Sequence, residues 1–316
     1  MPTGPHREVE HDITVAAPPE AVYRIVADVE DWPQIFGPTV HAERVGGGDG
    51  WERIRIWATA NGAAKTWTSR RELDAAALRI GFRQERSQPP VGAMSGEWVI
   101  EPLPGGGCRV RLLHAYRAAT DDPADLAWID RAVDRNSVQE LAALAARADE
   151  ARRGGGGPLL TFEDALGVDG RAEDVYDFLN EAGSWRERLP HVARVVVDEP
   201  TPGLQVLEMD TSTKDGARHT TRSVRVCRPH ASIVYKQIQV PALMTLHTGA
   251  WLIGARPGGG VSVVSRHTVR IDEDAIAPVL GDGADLAGAR AFVREALGAN
   301  SRATLGHAKA YAEARA

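Results

Sequence analysis

The polar residues of one short stretch, KTWTSRRE at 65–72, have the types and spacing of a reaction site. Side chains alternate along a strand, which puts Lys65, Trp67, Ser69 and Arg71 on one face and Thr66, Thr68, Arg70 and Glu72 on the other. The bulky Trp67 indicates that its own face lines the interior, so Arg70 is expected to meet solvent. The alternative is that Arg71 is a surface strand charge and Ser69 an ordinary strand hydroxyl.

An inward arginine would supply a fixed positive charge. Its pKa lies above about 12, so it is a poor proton donor at neutral pH. It is better suited to stabilise an oxyanion as negative charge develops, an effect of roughly 2.7 to 4 kcal/mol for a well-placed donor. Ser69, two residues earlier on the same face, could relay a proton or orient a water.

A second stretch, GARHTTRSVRVC at 216–227, repeats the polar pair. Aligning Asn61 and Gly62 with Asp215 and Gly216 matches Thr221 to Trp67, Ser223 to Ser69 and Arg225 to Arg71. A register slip of one residue would instead turn Arg222 inward. Because threonine replaces Trp67, the second pocket is expected to be wider and more polar. Its predicted lining is His219, Tyr235, His247 and Trp251.

Motifs of other reaction classes are missing from the sequence. The histidines at 191, 219, 230, 247 and 267 have neither HxH nor HExxH spacing, so no metal site is predicted. Cys108 and Cys227 form no CxxC pair, which is typical of a reducing, cytoplasmic setting. There is no GxSxG, GxGxxG or GxxxxGK[ST] motif, so neither a serine nucleophile nor a cofactor is expected.

An internal repeat sets the domain organisation. GEWVIEPLPGGG at 96–107 returns as GAWLIGARPGGG at 249–260, with 7 of 12 positions identical at an offset of 153. The linker ARRGGGGP at 151–158 separates the copies, so we expect domains at 1–153 and 158–316 with a boundary near Gly154. Two copies in one chain resemble a dimer, which predicts a pseudo-dimeric monomer with an interface between the domains.

Each copy predicts the same order of elements: a strand, a helix opened by Pro18 and Pro19 in the first copy, a turn at Trp32 and Pro33, six strands and a long helix. The first long helix is predicted at 123–152, with an apolar face of Leu126, Ile129, Val133, Val138, Leu141, Leu144 and Ala148. An eleven-residue insertion precedes the second, at about 283–313. The fold class is therefore α+β, with a seven-stranded antiparallel sheet curled around the closing helix so that a cavity remains.

Composition excludes several function classes. A net charge of −6 argues against a nucleic-acid partner, and no apolar run approaches the roughly 20 residues of a membrane helix. The polar start MPTGPHREVEHD predicts no signal peptide. We therefore expect a soluble, cytoplasmic protein.

The phrases ITVAAPPEAVYRIVADVEDWPQIF, NGAAKTWTSRREL and DRNSVQELAALAARAD, with the repeated glycine phrase, resemble the START-like, helix-grip (Bet v 1-like) superfamily. More narrowly, the chain resembles the di-domain aromatase/cyclases of bacterial type II polyketide synthases. The resemblance implies an enzyme of antibiotic biosynthesis that cyclises and aromatises a poly-β-ketone on an acyl carrier protein, among other polyketide synthase components. It also implies first-ring closure between C7 and C12 of the chain.

The resemblance further assigns roles to residues. It makes Arg71 the key polar group of the cavity, and it makes Trp32, Phe36, Trp67, Met94 and Trp98 candidate walls for the ketide. Arg86 could meet the phosphopantetheine phosphate of the carrier. Thr39 stands where some relatives have a tyrosine, which leaves the general base unidentified. Both pockets could act in sequence, or one could be a scaffold. The alternative function is non-catalytic transport of a lipid or polyketide.

Overall fold

The computed structural model describes residues 6–153, 157–212 and 218–316 of the chain. The chain divides into two compact units, Met1–Gly157 and Pro158–Ala316. The predicted boundary at Gly154, and the Asp215 and Gly216 used to align the copies, lie outside the described residues.

Over its described residues, the first unit has seven strands and three α-helices. In chain order they are β1 (Arg7–Val15), α1 (Pro19–Ala27), α2 (Trp32–Ile35), β2 (Thr39–Gly48), β3 (Trp51–Ala60), β4 (Ala63–Asp74), β5 (Arg79–Arg86), β6 (Val91–Pro102), β7 (Cys108–Ala118) and α3 (Pro123–Arg153). The strands form one antiparallel sheet in the order β1-β7-β6-β5-β4-β3-β2. The predicted turn at Trp32 is a short helix, because Pro33 has the fixed φ of a first helical turn.

The second unit repeats this plan with one added helix. Its elements are β8 (Leu159–Val168), α4 (Ala172–Asn180), α5 (Trp185–Arg188), β9 (Val192–Thr201), β10 (Leu204–Ser212), β11 (Arg218–Arg228), β12 (Ser232–Gln239), β13 (Met244–Ala255), β14 (Val261–Ile271), α6 (Ile276–Leu280) and α7 (Leu286–Glu313). The sheet order is the same, β8-β14-β13-β12-β11-β10-β9. α6 occupies the predicted insertion, and α7 begins at 286 because the Asp285 side chain accepts a hydrogen bond from Gly288 N at 2.7 Å.

The two long helices fill the concave sides of the sheets, and the predicted fold class is confirmed. In α3, Ile129, Leu141 and Leu144 are at most 2% exposed. The prediction for Val138 was wrong, because that side chain is 55% exposed. The uninterrupted helix puts Ser137 on the interior face instead, one residue earlier in the 3.6-residue repeat.

The repeated glycine phrase closes the last hairpin of each unit. Its first glycine is needed for close packing: a Cβ at Gly96 would lie 2.4 Å from Phe82 Cζ, and one at Gly249 would lie 2.4 Å from Tyr235 Cζ. The glycine run turns the chain between β6 and β7, where Gly105 and Gly106 have φ of 101° and 95°. The phrase thus recurs because in each unit an aromatic ring packs against the corresponding strand, β6 in the first unit and β13 in the second.

Candidate active site

The first unit encloses a cavity of about 180 Å³ between its sheet and α3. The walls are largely apolar and include Trp32, Phe36, Trp67, Met94 and Trp98, all of which were predicted to line it. Trp32 packs edge-on against Phe36, which stacks on Trp98 at 6.2 Å between ring centroids. Such rings are rigid, so the cavity can restrict the shape of a flexible guest.

The predicted polar strand face also lines this cavity, with Lys65, Ser69 and Arg71 all exposed to it. Arg71 is only 1% exposed to solvent, and Ser69 only 3%. Arg70 lies outside the lining, with its guanidinium 4.2 Å from the centroid of the Trp51 ring. The alternation of β4 therefore separates an interior arginine from a surface one.

Arg71 is held by the end of α1. Its Nη2 donates to Val26 O at 2.8 Å and its Nη1 donates to Ala27 O at 3.2 Å. The last carbonyls of a helix have no partner within the helix and carry its partial negative charge, so a cation is favoured there. Trp32, just beyond that helix, places its ring 5.0 Å from the guanidinium carbon.

A buried carboxylate completes the arginine site. Glu52 lies directly opposite Arg71 in the β3–β4 ladder, and its Oε1 accepts from Arg71 Nη1 at 2.9 Å. Its other oxygen, Oε2, accepts from Arg44 Nε at 2.5 Å. Burial lowers the pKa of Arg71 to about 10, while Glu52 favours the charged form. Arg71 therefore stays protonated at neutral pH, although its pKa is below the usual range assumed from sequence.

Sequence reasoning missed the titratable groups on the opposite wall. Glu140 of α3 lines the cavity, makes no ion pair with any described residue, and has its pKa raised to about 7 by burial. His114 of β7 also lines it, and burial lowers the pKa of this imidazole to about 4. Ser137, one helical turn before Glu140, is 1% exposed and its Oγ has no partner within the described chain. The signal was available for Ser137 and Glu140, since both occupy interior positions of a helix that is otherwise apolar there.

Two predicted contacts fall outside the cavities. Arg86 is exposed at the end of β5, two residues before Gln88, which does line the first cavity. His219 is exposed and does not line the second cavity, because it lies at the outer end of β11. The prediction of His219 as a cavity residue is therefore corrected.

The second unit has its own cavity, of about 130 Å³. Tyr235, His247 and Trp251 line it as predicted, with Thr221, Ser223 and Arg225 from β11. Arg222 is exposed, so the register has not slipped. The expectation of a wider pocket was wrong, since this cavity is smaller than the first, at about 130 Å³ against about 180 Å³.

Buried polar side chains join into a network in this second cavity. His247 Nε2 lies 2.9 Å from His267 Nδ1, Tyr235 OH lies 3.3 Å from the same nitrogen, and His267 Nε2 lies 2.6 Å from Ser301 Oγ. Burial lowers the pKa of His247 to about 3 and that of His267 to about 4, so both are neutral at pH 7. Sequence spacing could not show this pair, because its members lie on neighbouring strands.

Among the described residues, no three His, Cys, Asp or Glu side chains converge as metal ligands would. No described helix is long and apolar enough to span a membrane. Cys108 and Cys227 are both free and buried.

The fold and its two arginine-bearing cavities define tandem helix-grip units, and comparison with known proteins agrees. Residues 6–149 match the family described as polyketide cyclase/dehydrase and lipid transport. The chain is 52% identical to the granaticin polyketide synthase bifunctional cyclase/dehydratase of Streptomyces virginiae, over 94% of this chain and 97% of that protein. It is 47% identical to the actinorhodin counterpart of Streptomyces coelicolor, over 98% of each.

Solved structures lead to the same family. The di-domain ARO/CYC BexL from the BE-7585A biosynthetic pathway superposes with a TM-score of 0.87 at 58% identity, covering 97% of this chain and 99% of that one. StfQ, from the steffimycin pathway, gives a TM-score of 0.84 at 41% identity with the same coverage. The chain belongs to the di-domain aromatase/cyclase family, the bifunctional cyclase/dehydratases of type II polyketide synthases, and is an enzyme of this class.

Proposed function

We propose that the first unit closes the first ring of a poly-β-ketone, between C7 and C12, while the chain is attached to an acyl carrier protein. The observation that carries this proposal is the composition of one cavity: aromatic walls, a buried cation at Arg71, and an unpaired carboxyl at Glu140 whose pKa is raised to about 7. The walls fold the ketide so that the reacting carbons meet.

Glu140 and Arg71, on opposite walls of the cavity, have different roles in the reaction. The Glu140 carboxylate removes a proton from the acidic methylene between two ketide carbonyls, and Arg71 stabilises the enolate oxygen that forms. The enolate carbon attacks the second ketone, and the resulting alkoxide takes the proton from Glu140 to become a hydroxyl. The Glu140 carboxylate then removes a second proton, from the ring carbon beside that hydroxyl, and returns it to the hydroxyl as this leaves as water. Enolisation of the remaining ring ketones gives the aromatic ring. A carboxyl with a pKa near the working pH can perform both steps.

The carrier would dock near the cavity mouth. Arg86 is exposed and close in sequence to Gln88, Pro89 and Pro90, which line the cavity. An exposed guanidinium suits the phosphate of the carrier's phosphopantetheine arm. Non-catalytic transport is the weaker alternative, because a carrier cavity has no need of an unpaired buried carboxyl.

The test is product profiling with a minimal polyketide synthase. Arg71→Ala should lower the correctly cyclised product by about 10²- to 10³-fold relative to the native protein. Because Arg71 also holds the end of α1, circular dichroism must show that the variant is folded, and Ser69→Ala serves as a neighbouring change that keeps the cation. A folded Arg71→Ala protein that gives the native product pattern would contradict the proposal.

A further inference from the structure

The two cavities differ in how their arginines are neutralised. Arg71 faces Glu52 across the β3–β4 ladder, whereas Arg225 faces Gln205 across the β10–β11 ladder. Gln205 is neutral, and its amide nitrogen points away to Asn180 Oδ1 at 3.3 Å and Glu199 Oε2 at 3.0 Å. The second unit has therefore kept the cation and lost the directly paired anion, while the carboxylate of Glu199, which accepts from Gln205, favours the charged form of Arg225 only at longer range.

One nitrogen of the Arg225 guanidinium, Nη1, has no hydrogen-bond partner among the described residues. Its Nη2 donates to Leu179 O at 2.5 Å, at the end of α4, but its Nη1 is buried and makes no hydrogen bond within the described chain. Arg225 is 2% exposed to solvent and lines the cavity. A buried cation without a carboxylate is costly, and an anion placed beside it removes that cost.

Two further groups in the same cavity have no hydrogen-bond partner among the residues that the structure describes. Gln237 Oε1 can only accept a hydrogen bond, and His247 Nδ1 is the ring nitrogen that does not face His267. Both residues line the cavity with Arg225, which is the one charged group among the described residues of the lining at neutral pH, because His191, His247 and His267 have lowered pKa values. A ligand with an ionised oxygen and a second hydroxyl would satisfy all of these groups.

The size of the cavity indicates how much of such a ligand enters. At about 130 Å³ it is close to the roughly 150 Å³ cavity that holds one benzene ring in another protein. Trp185, Leu189 and Trp251 provide apolar surface beside the polar groups. One ring therefore fits, with its oxygen at the arginine.

We propose that the second cavity binds an ionised ring hydroxyl, a phenolate or ring enolate, whose oxygen occupies the place beside Arg225 that Glu52 occupies beside Arg71. The argument for an anion site uses contacts of the second unit alone. The further statement that the natural ligand is the ring formed in the first unit depends on the proposed function.

The experiment uses the full chain and para-nitrophenol, whose ionised form is visible by its absorbance, with the neutral para-nitroanisole for comparison. The site beside Arg225 should bind the phenolate about 10-fold or more tightly than the ether, as a charge-assisted hydrogen bond provides. Gln205→Glu should weaken phenolate binding at this site by about 10-fold or more, while the neutral Gln205→Met keeps it. Arg71 is already paired with Glu52, so any phenolate binding in the native first unit should be weaker, and Glu52→Gln should strengthen it.

Gln205→Glu copies the carboxylate–arginine pair of the first unit, but it also places a carboxylate beside Glu199, whose Oε2 is 3.0 Å from Gln205 Nε2, so a melting curve checks that the variant folds. If the melting curve shows that it does not fold, Arg225→Gln takes its place in the same assay. Equal affinity for phenolate and ether, or unchanged phenolate binding in folded Gln205→Glu, overturns the proposal. The binding assay contains no polyketide synthase, so it tests the anion site independently of the proposed function. Phenolate binding can be refuted while product profiling supports the proposed function, and product profiling can refute the proposed function while phenolate binding is confirmed.

Discussion

Replacing Glu140 with glutamine separates the stability of the first unit from its chemistry. The carboxyl lies in the cavity wall without an ion pair to any described residue, and burial raises its pKa from 4.5 to about 7. A shift of this size corresponds to about 3 kcal/mol, reduced to the extent that cavity water screens the charge. The native protein therefore carries this cost whenever Glu140 is ionised.

The sign of the pH dependence follows from the direction of the shift. A group whose pKa is raised on folding contributes most to the free energy of unfolding below its unfolded pKa, and this stabilisation is lost as the pH rises through the folded pKa. The native first unit should thus lose up to about 3 kcal/mol between pH 4.5 and pH 7 through Glu140. Glutamine cannot ionise, so the variant should gain about that much at pH 8 and almost nothing at pH 4.5.

Urea unfolding at pH 4.5 and at pH 8 measures this difference, and the product assay measures the lost proton transfer. Glu295→Gln makes the same chemical change on an exposed face of α7, where its partner is Arg302 at 3.2 Å, and should alter stability by less than about 1 kcal/mol. If Glu140→Gln gave no extra stability at pH 8, or kept native cyclisation, Glu140 would not be the buried acid–base group proposed here.

Strand periodicity was sufficient to predict which arginine of β4 faces the cavity. The sequence of the hairpin turn between β3 and β4 also determines the register that pairs Arg71 with Glu52. Asn61 and Gly62 both have positive φ, 49° and 81°, as a two-residue hairpin turn requires, and such a turn fixes every opposed pair along the strands. The carboxylate partner could therefore have been predicted from the turn alone.

Other parts of the site depend on packing that no local pattern encodes. His247 and His267 meet only because β13 and β14 are neighbours, and whether Arg225 Nη1 finds a hydrogen-bond partner depends on where the Gln205 amide points. The size of the second cavity was also mispredicted, because the volume depends on the whole lining and not on the exchange of Trp67 for Thr221 alone.

Two further substitutions test the walls and the core. Trp67→Thr copies the second unit at that position and removes an aromatic wall, so the share of correctly cyclised product should fall by about 10- to 100-fold in favour of shunt products. Trp51→Thr, outside the cavity lining, is the control and should leave the product pattern unchanged. In the core, Leu144→Ala empties a position that is 0% exposed on α3 and should lower the free energy of unfolding by about 2 to 5 kcal/mol. Val138→Ala, on the same helix but at a position 55% exposed, should change it by less than about 0.5 kcal/mol. Urea unfolding at neutral pH compares the two variants. If both lost the same free energy of unfolding, the face of α3 that carries Ser137 and Glu140 would not be the face that packs towards the sheet and lines the cavity.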